Sequence, residues 1–235
     1  MNSRSGTIKP ANKGPMAFLL EIVATDASEI RAAREGGADR LELCASIELG
    51  GVTPSPGLVE EATERMPTVA MLRPHARSFI YDEADRRVLL KDLAWLRETR
   101  VEAVVFGALT PGGRIDLPLL REVVGAGKPV VFHRAFDAVE HPEDALESLM
   151  RAGVRRVLTS GGASCAREGT DRLNRLIHLA KGRIEILPGG GIRPENVATL
   201  LECVPVGWVH AAPFRTGEVL AKTVRCYRSG GARLG

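Results

Sequence analysis

His133, Arg134 and Asp137 fall within five residues, at the end of a short apolar run that begins at Pro129. A histidine can move a proton or ligate a metal, an arginine can clamp an anion, and an aspartate can orient either one. Arg40, Glu42 and Cys44 alternate along another apolar stretch. A period of two places them on one face of a strand, with Leu41 and Leu43 on the other. Glu21, Arg73 and His210 sit in or at the ends of three further apolar runs.

Two chemistries compete for these residues. In the first, a small phosphorylated or carboxylated molecule is bound and transformed. Arg73 and Arg134 would grip the anion, with His133, Glu42 and Asp137 available for acid–base work. Glu21 and Ser160 would add polar contacts. Gly189, Gly190 and Gly191 would let backbone N–H groups approach the anion closely. A tight turn that merely needs glycine is the simpler reading of that triplet. In the second chemistry, Cys44, His133 and His210 hold a soft metal, since thiolate and imidazole suit copper(I) or zinc. No local ligand spacing supports it: the four cysteines are far apart and form no CxxC pair.

The chain must bring these residues together from a distance. From Phe18 onward a short apolar strand followed by an amphipathic helix recurs eight times in about 210 residues. The strands are expected at 18–24, 39–44, 68–73, 103–107, 129–133, 156–160, 184–187 and 208–210. Ser55 is expected to cap the second helix ahead of Pro56, Asp116 the fourth, and Cys165 to begin the sixth. Such a repeat predicts an α/β fold, a TIM (β/α)8 barrel in a single domain. A doubly wound open sheet is the alternative, but Ala24, Thr25 and Asp26 follow the first strand where that fold would place a glycine-rich turn. In a barrel the chemistry lies at the C-terminal ends of the strands. Charges buried there cost on the order of several kcal/mol each unless they pair with one another or with a ligand. An internal network, Glu21 or Glu42 with Arg40 or Arg73, is the non-catalytic alternative.

Composition excludes several other classes. Of 235 residues, 44% are hydrophobic and 26% charged, which suits a globular protein with a large core. Net charge is only +3, both signs are scattered, and aromatics are 4%, so nucleic-acid binding is not supported. No apolar run has the length of a membrane span. Residues 1–16 lack periodicity and an apolar core, so they read as a disordered tail rather than a secretory signal, with the domain from 17 to 235.

Taken together, the motifs resemble the CutC family, named for copper homeostasis. The matching stretches are Gly37–Cys44, Gly50–Ser55, Leu72–Pro74, Val105–Leu109, Phe132–Asp137, Leu158–Gly161 and Pro188–Gly191. The resemblance implies a cytoplasmic TIM barrel that forms a homodimer or larger homo-oligomer. It also implies copper as the bound metal, with Cys44 at the family's best-matching cysteine position. Family members often carry a second cysteine late in the first strand, where this chain has Val23, and a serine where it has Ala212. Whether the family works as a copper handler or as an enzyme stays open at this point.

Overall fold

A computed structural model describes residues 18–213 and 217–229. The expected N-terminal tail lies outside the described residues. Eight strands form the inner ring: β1 (Leu19–Ala24), β2 (Arg40–Leu43), β3 (Thr68–Met71), β4 (Ala103–Phe106), β5 (Val130–Phe132), β6 (Arg156–Thr159), β7 (Glu185–Pro188) and β8 (Trp208–Ala211). Each is followed by a helix: α1 (Ala27–Gly36), α2 (Pro56–Arg65), α3 (Glu83–Arg97), α4 (Leu117–Gly125), α5 (Pro142–Arg151), α6 (Thr170–Ala180), α7 (Pro194–Cys203) and α8 (Gly217–Arg228).

All paired strands are parallel, in the order β7-β6-β5-β4-β3-β2-β1-β8. The two ends of that order, β7 and β8, lie against each other and complete a TIM barrel. Among the described residues no helix is long and apolar enough to cross a membrane.

Alternation along the strands divides the core in two. Leu20, Ile22, Ala24, Leu41 and Leu43 join the large apolar layer between ring and helices. Val23, Cys44, Val69, Met71, Ala103, Val105 and Val131 form a separate cluster inside the ring. The expected split between Leu41/Leu43 and Arg40/Glu42/Cys44 therefore holds.

Helix starts follow from local chemistry, with two corrections. Asp26 accepts from the N–H groups of Ser28 and Glu29 at 2.7 and 2.8 Å, and Asp116 from Leu119 at 3.1 Å. These bonds satisfy donors that a helix N-terminus leaves free. Ser55 precedes α2 in extended backbone, but its side chain makes no capping bond; Pro56 alone marks the start. Cys165 does not begin α6, which starts at Thr170. The reason is Gly169: a Cβ there would lie 1.8 Å from Ser160 O, so the chain must pass tightly over the end of β6 before turning helical.

Candidate functional site at the C-terminal rim

The ring interior is polar at both ends and apolar between. At the N-terminal end, Arg40 and Arg156 begin their strands, and both guanidinium groups lie over the Trp208 ring, at 4.1 and 5.0 Å. Arg156 pairs with Glu185, its neighbour in register. Arg40 pairs with Glu21 at 2.7 Å. The register aligns Glu21 with Arg40 on one side and His210 on the other. Glu21 is therefore tied up: His210 Nδ1 donates to its Oε1 at 2.8 Å.

Charge balance in this network sets its protonation. Burial alone would raise the Glu21 carboxyl, but the His210 hydrogen bond and the Arg40 charge outweigh it and hold the group below its usual range. Burial likewise disfavours a charged His210, yet Glu42 and Glu21 outweigh it and favour the imidazolium. Glu42 lacks such partners. Burial pushes its carboxyl up to about 7, with His210 pulling it down and Glu21 pushing it further up. Its Oε2 lies 3.9 Å from His210 Nδ1 and accepts no hydrogen bond.

At the C-terminal end the ring opens into a cavity of about 450 Å³, lined by Glu42, Arg73, His133, Arg134 and His210 among others. Gly190 and Gly191 form part of its wall. Five residues singled out from the sequence, on β2 and β8 or just after β3 and β5, thus line one mouth, joined by the turn after β7.

Arg73 is only 4% exposed. Its Nη1 donates to the carbonyls of Gly50 and Gly51 at 3.1 Å each, and its Nη2 to that of Ala76 at 3.1 Å. Its Nε has no partner, and among the described residues no carboxylate pairs with it. The guanidinium lies 4.6 Å over the Phe79 ring.

His133 is held in one tautomer. Ala135 N–H donates to its Nδ1 at 3.1 Å, so the neutral ring carries its proton on Nε2. Burial, reinforced by the charge of Arg73, lowers its pKa to about 3. Nε2 has no protein partner. Gly107 makes room for the ring: a Cβ there would meet His133 at 2.4 Å. Gly189 does the same beside His210, where a Cβ would stand 3.1 Å from the imidazole. A glycine ending one strand lets the histidine of another lie close against it.

The turn after β7 is open to a ligand at two of its three glycines. Gly189 N–H is spent on Thr159 O at 3.1 Å. Among the described residues neither Gly190 nor Gly191 N–H reaches an internal acceptor. Both have positive φ, +95° and +68°, which glycine adopts without strain.

Asp137 and Ser160 do not line the cavity. Asp137 accepts from Thr159 Oγ1, from the N–H groups of Ser160 and Gly162 at 3.1 Å, and from Arg134 Nε at 2.7 Å. Both carboxylate oxygens are occupied, so the acid–base role expected for Asp137 has no free atom to act through. Ser160 Oγ accepts from Arg134 Nη2 at 3.1 Å. The pair acts as a bracket that aims Arg134 at the mouth. Glu21 too lies below the mouth, inside the ion-pair network.

The soft metal set is not assembled. Among the described residues, one group of three or more such side chains has ligand atoms within 4.8 Å of one another, and it is Glu21, Glu42 and His210. Cys44 and His133 are outside it. Cys44 is fully buried with Val23, Val69 and Met71, and burial, together with the charge of Glu42, pushes its thiol far up. A thiolate, not a thiol, is the metal ligand. Nε2 of His133 offers a proton where a metal needs a lone pair. Glu21, Glu42 and His210 already share the charges of Arg40 and the imidazolium. The residues present do not fit a resident copper(I) ion.

Sequence reasoning missed Phe79, Leu158, Ile47 and Leu49 on the cavity wall, and it attached no role to Arg193, which also lines it. Phe79 lies in the loop after β3 with no periodic pattern to flag it. Arg193 follows the glycine triplet directly, and that adjacency was the available signal.

Comparison with known proteins agrees with the motifs. The CutC family profile matches residues 18–214. A CutC family protein of Agrobacterium fabrum is 42% identical over 198 residues, covering 83% of this chain and 79% of the relative. The human protein named copper homeostasis protein cutC homolog is 40% identical over 199 residues, covering 82% of this chain and 73% of the relative. The crystal structure of a CutC protein from Streptococcus agalactiae superposes with a TM-score of 0.78 at 28% identity, covering 82% of this chain and 97% of that one. On the profile, the identities and the shared barrel, this chain belongs to the CutC family.

Proposed function

We propose that this chain takes part in copper homeostasis, as the names of its human and mouse relatives indicate, and that its working site is a rim pocket for a small phosphorylated or carboxylated molecule. One observation carries the second half. Arg73 is a buried cation on the cavity wall with no carboxylate partner among the described residues. Burying an unpaired charge costs several kcal/mol, about the penalty seen when one partner of a buried pair is removed. An anionic ligand would return that energy. The free Gly190 and Gly191 N–H groups and the Nε2 proton of His133 add donors of the kind an anion accepts from.

Calorimetric titration with inorganic phosphate and with phosphoglycolate tests this. Wild type should bind at least one of them, and Arg73→Met should weaken that binding about 10-fold or more. Equal affinities in the two proteins would remove Arg73 from the site. Cytoplasmic location and assembly into a homodimer or larger homo-oligomer belong to the same proposal; fractionation and sedimentation read them directly.

A further inference from the structure

Two residues that line this cavity each carry a buried polar atom without a partner, and the two atoms are of opposite kind. Glu42 Oε2 is an acceptor that receives no hydrogen bond, and His133 Nε2 is a donor that makes none. The residues are 2% and 4% exposed, and both line the same cavity. Anion binding accounts for the donor but not for the acceptor. A carboxylate beside an anion repels it, and Arg73, Arg134, Gly190 and Gly191 already suffice to hold one. The free carboxylate therefore calls for a second task. A base and a neutral N–H donor on the walls of one substrate-sized space are the pair of groups that moves a proton off carbon. The base takes the proton, and the donor meets the oxygen on which charge develops.

Resting on the anion-pocket reading above, we propose that the cavity catalyses proton transfer at the carbon next to a carbonyl in a small phosphorylated or carboxylated substrate, with Glu42 as base and His133 Nε2–H as donor to the carbonyl oxygen. The step balances within substrate and protein. The C–H bond breaks and its proton passes to Glu42 Oε2. The electron pair it leaves becomes a carbon–carbon π bond, while the carbonyl π pair moves onto oxygen. That enolate oxygen accepts the hydrogen bond from His133. Return of the proton from Glu42 to carbon regenerates the carbonyl, and no further reactant is needed.

The surroundings suit each role. Ala135 N–H occupies Nδ1 of His133, so Nε2 of the ring carries a proton and no lone pair. Phe79 stands 5.0 Å from that ring and Gly107 gives it space, which fixes its direction. His210 is held by Glu21 at 2.8 Å and stands 3.9 Å from Glu42 Oε2, close enough to position the carboxylate without occupying it.

Dihydroxyacetone phosphate and pyruvate serve as probes. Each is incubated with the protein in deuterium oxide. Loss of the carbon-bound proton signal is followed by NMR, and probe binding is measured by saturation transfer in the same sample. For at least one probe, wild type should speed exchange about 100-fold or more over buffer. Glu42→Gln should lower that rate about 100-fold with probe binding kept within about 3-fold, and His133→Asn should lower the rate per bound probe about 10-fold. Having two variants keeps the test decisive if one fails to fold. A probe that binds without exchanging, or a Glu42→Gln protein that exchanges at the wild-type rate, overturns the proton-transfer step and leaves the anion pocket standing. Absence of binding by both probes overturns the pocket reading, and this inference with it.

Discussion

The N–H of Ala135 donates to Nδ1 of His133 at 3.1 Å, and that bond decides what the histidine can do. It leaves the proton on Nε2, without a protein partner, and removes the lone pair a base or metal ligand would need. His133 should therefore titrate far below the usual histidine range, near pH 3, because burial and Arg73 oppose its charge. Nitrogen-15 NMR of labelled protein reads both facts: an Nε2–H tautomer, with no change of state from pH 8 to 5. Titration near pH 6.5 would remove the donor role.

The same shift has a stability consequence. Between the unfolded value of about 6.5 and the folded value of about 3, the unfolded chain binds a proton that folded His133 refuses. Stability contributed by His133 is complete above that window and falls as pH falls through it. His133→Asn should flatten the acid side of the stability profile, measured by urea unfolding at pH 4 and 7. An unchanged slope would contradict the assignment.

Glu42 behaves in the opposite sense. Its folded pKa is raised to about 7, so the folded state keeps a proton that the unfolded state releases above about 4.5. The stability it contributes is present at low pH and is lost as pH rises from about 4.5 to 7. His210, Glu21 and Arg40 face it and are retained in the variant. Glu42→Gln should gain on wild type by roughly 2–3 kcal/mol between pH 4.5 and 8, the size expected for a shift of that order. A constant difference across that range would show that Glu42 is ionised throughout.

Much of this site was legible before the fold was known, and the reason is periodicity. Arg40, Glu42 and Cys44 share a face because side chains alternate along a strand, and no tertiary knowledge is needed to see it. Eight strand–helix repeats then dictate which ends of the strands meet. What the residues did not disclose were distances along the barrel axis. Glu21, one register step from Arg40 and His210, was read as a binding residue but lies below the mouth, inside an ion-pair network. Cys44 was read as a metal ligand because its type fits, whereas its neighbours Val23, Val69 and Met71 come from separate strands. Asp137 stands three residues after Arg134, and only the path of β6 shows that Thr159, Ser160 and Gly162 consume its oxygens.

The Cys44 thiol supplies a prediction that separates family name from site chemistry. Burial with apolar neighbours keeps it protonated, so Cys44→Ala should leave copper(I) affinity unchanged in a chelator competition. The variant should lose about 1–3 kcal/mol of stability from the space left in the inner cluster. A drop of 10-fold or more in copper(I) affinity would restore the cysteine as a ligand.

Gly190→Ala tests the turn after β7. A Cβ there would stand 3.3 Å from the Arg134 guanidinium at a φ of +95°, which an alanine adopts only with strain. Stability should fall by about 1–2 kcal/mol and phosphate binding by about 10-fold, because the two N–H groups of the turn lose their aim. Loss of stability with unchanged phosphate affinity would make the triplet a turn and nothing more.

The most direct test of the anion pocket is a crystal structure grown with inorganic phosphate. The account predicts phosphate oxygens about 3 Å from the N–H groups of Gly190 and Gly191, with the Arg73 guanidinium facing the same anion. A structure at high phosphate with those N–H groups bonded to protein carbonyls, and Arg73 turned to a carboxylate, would contradict it.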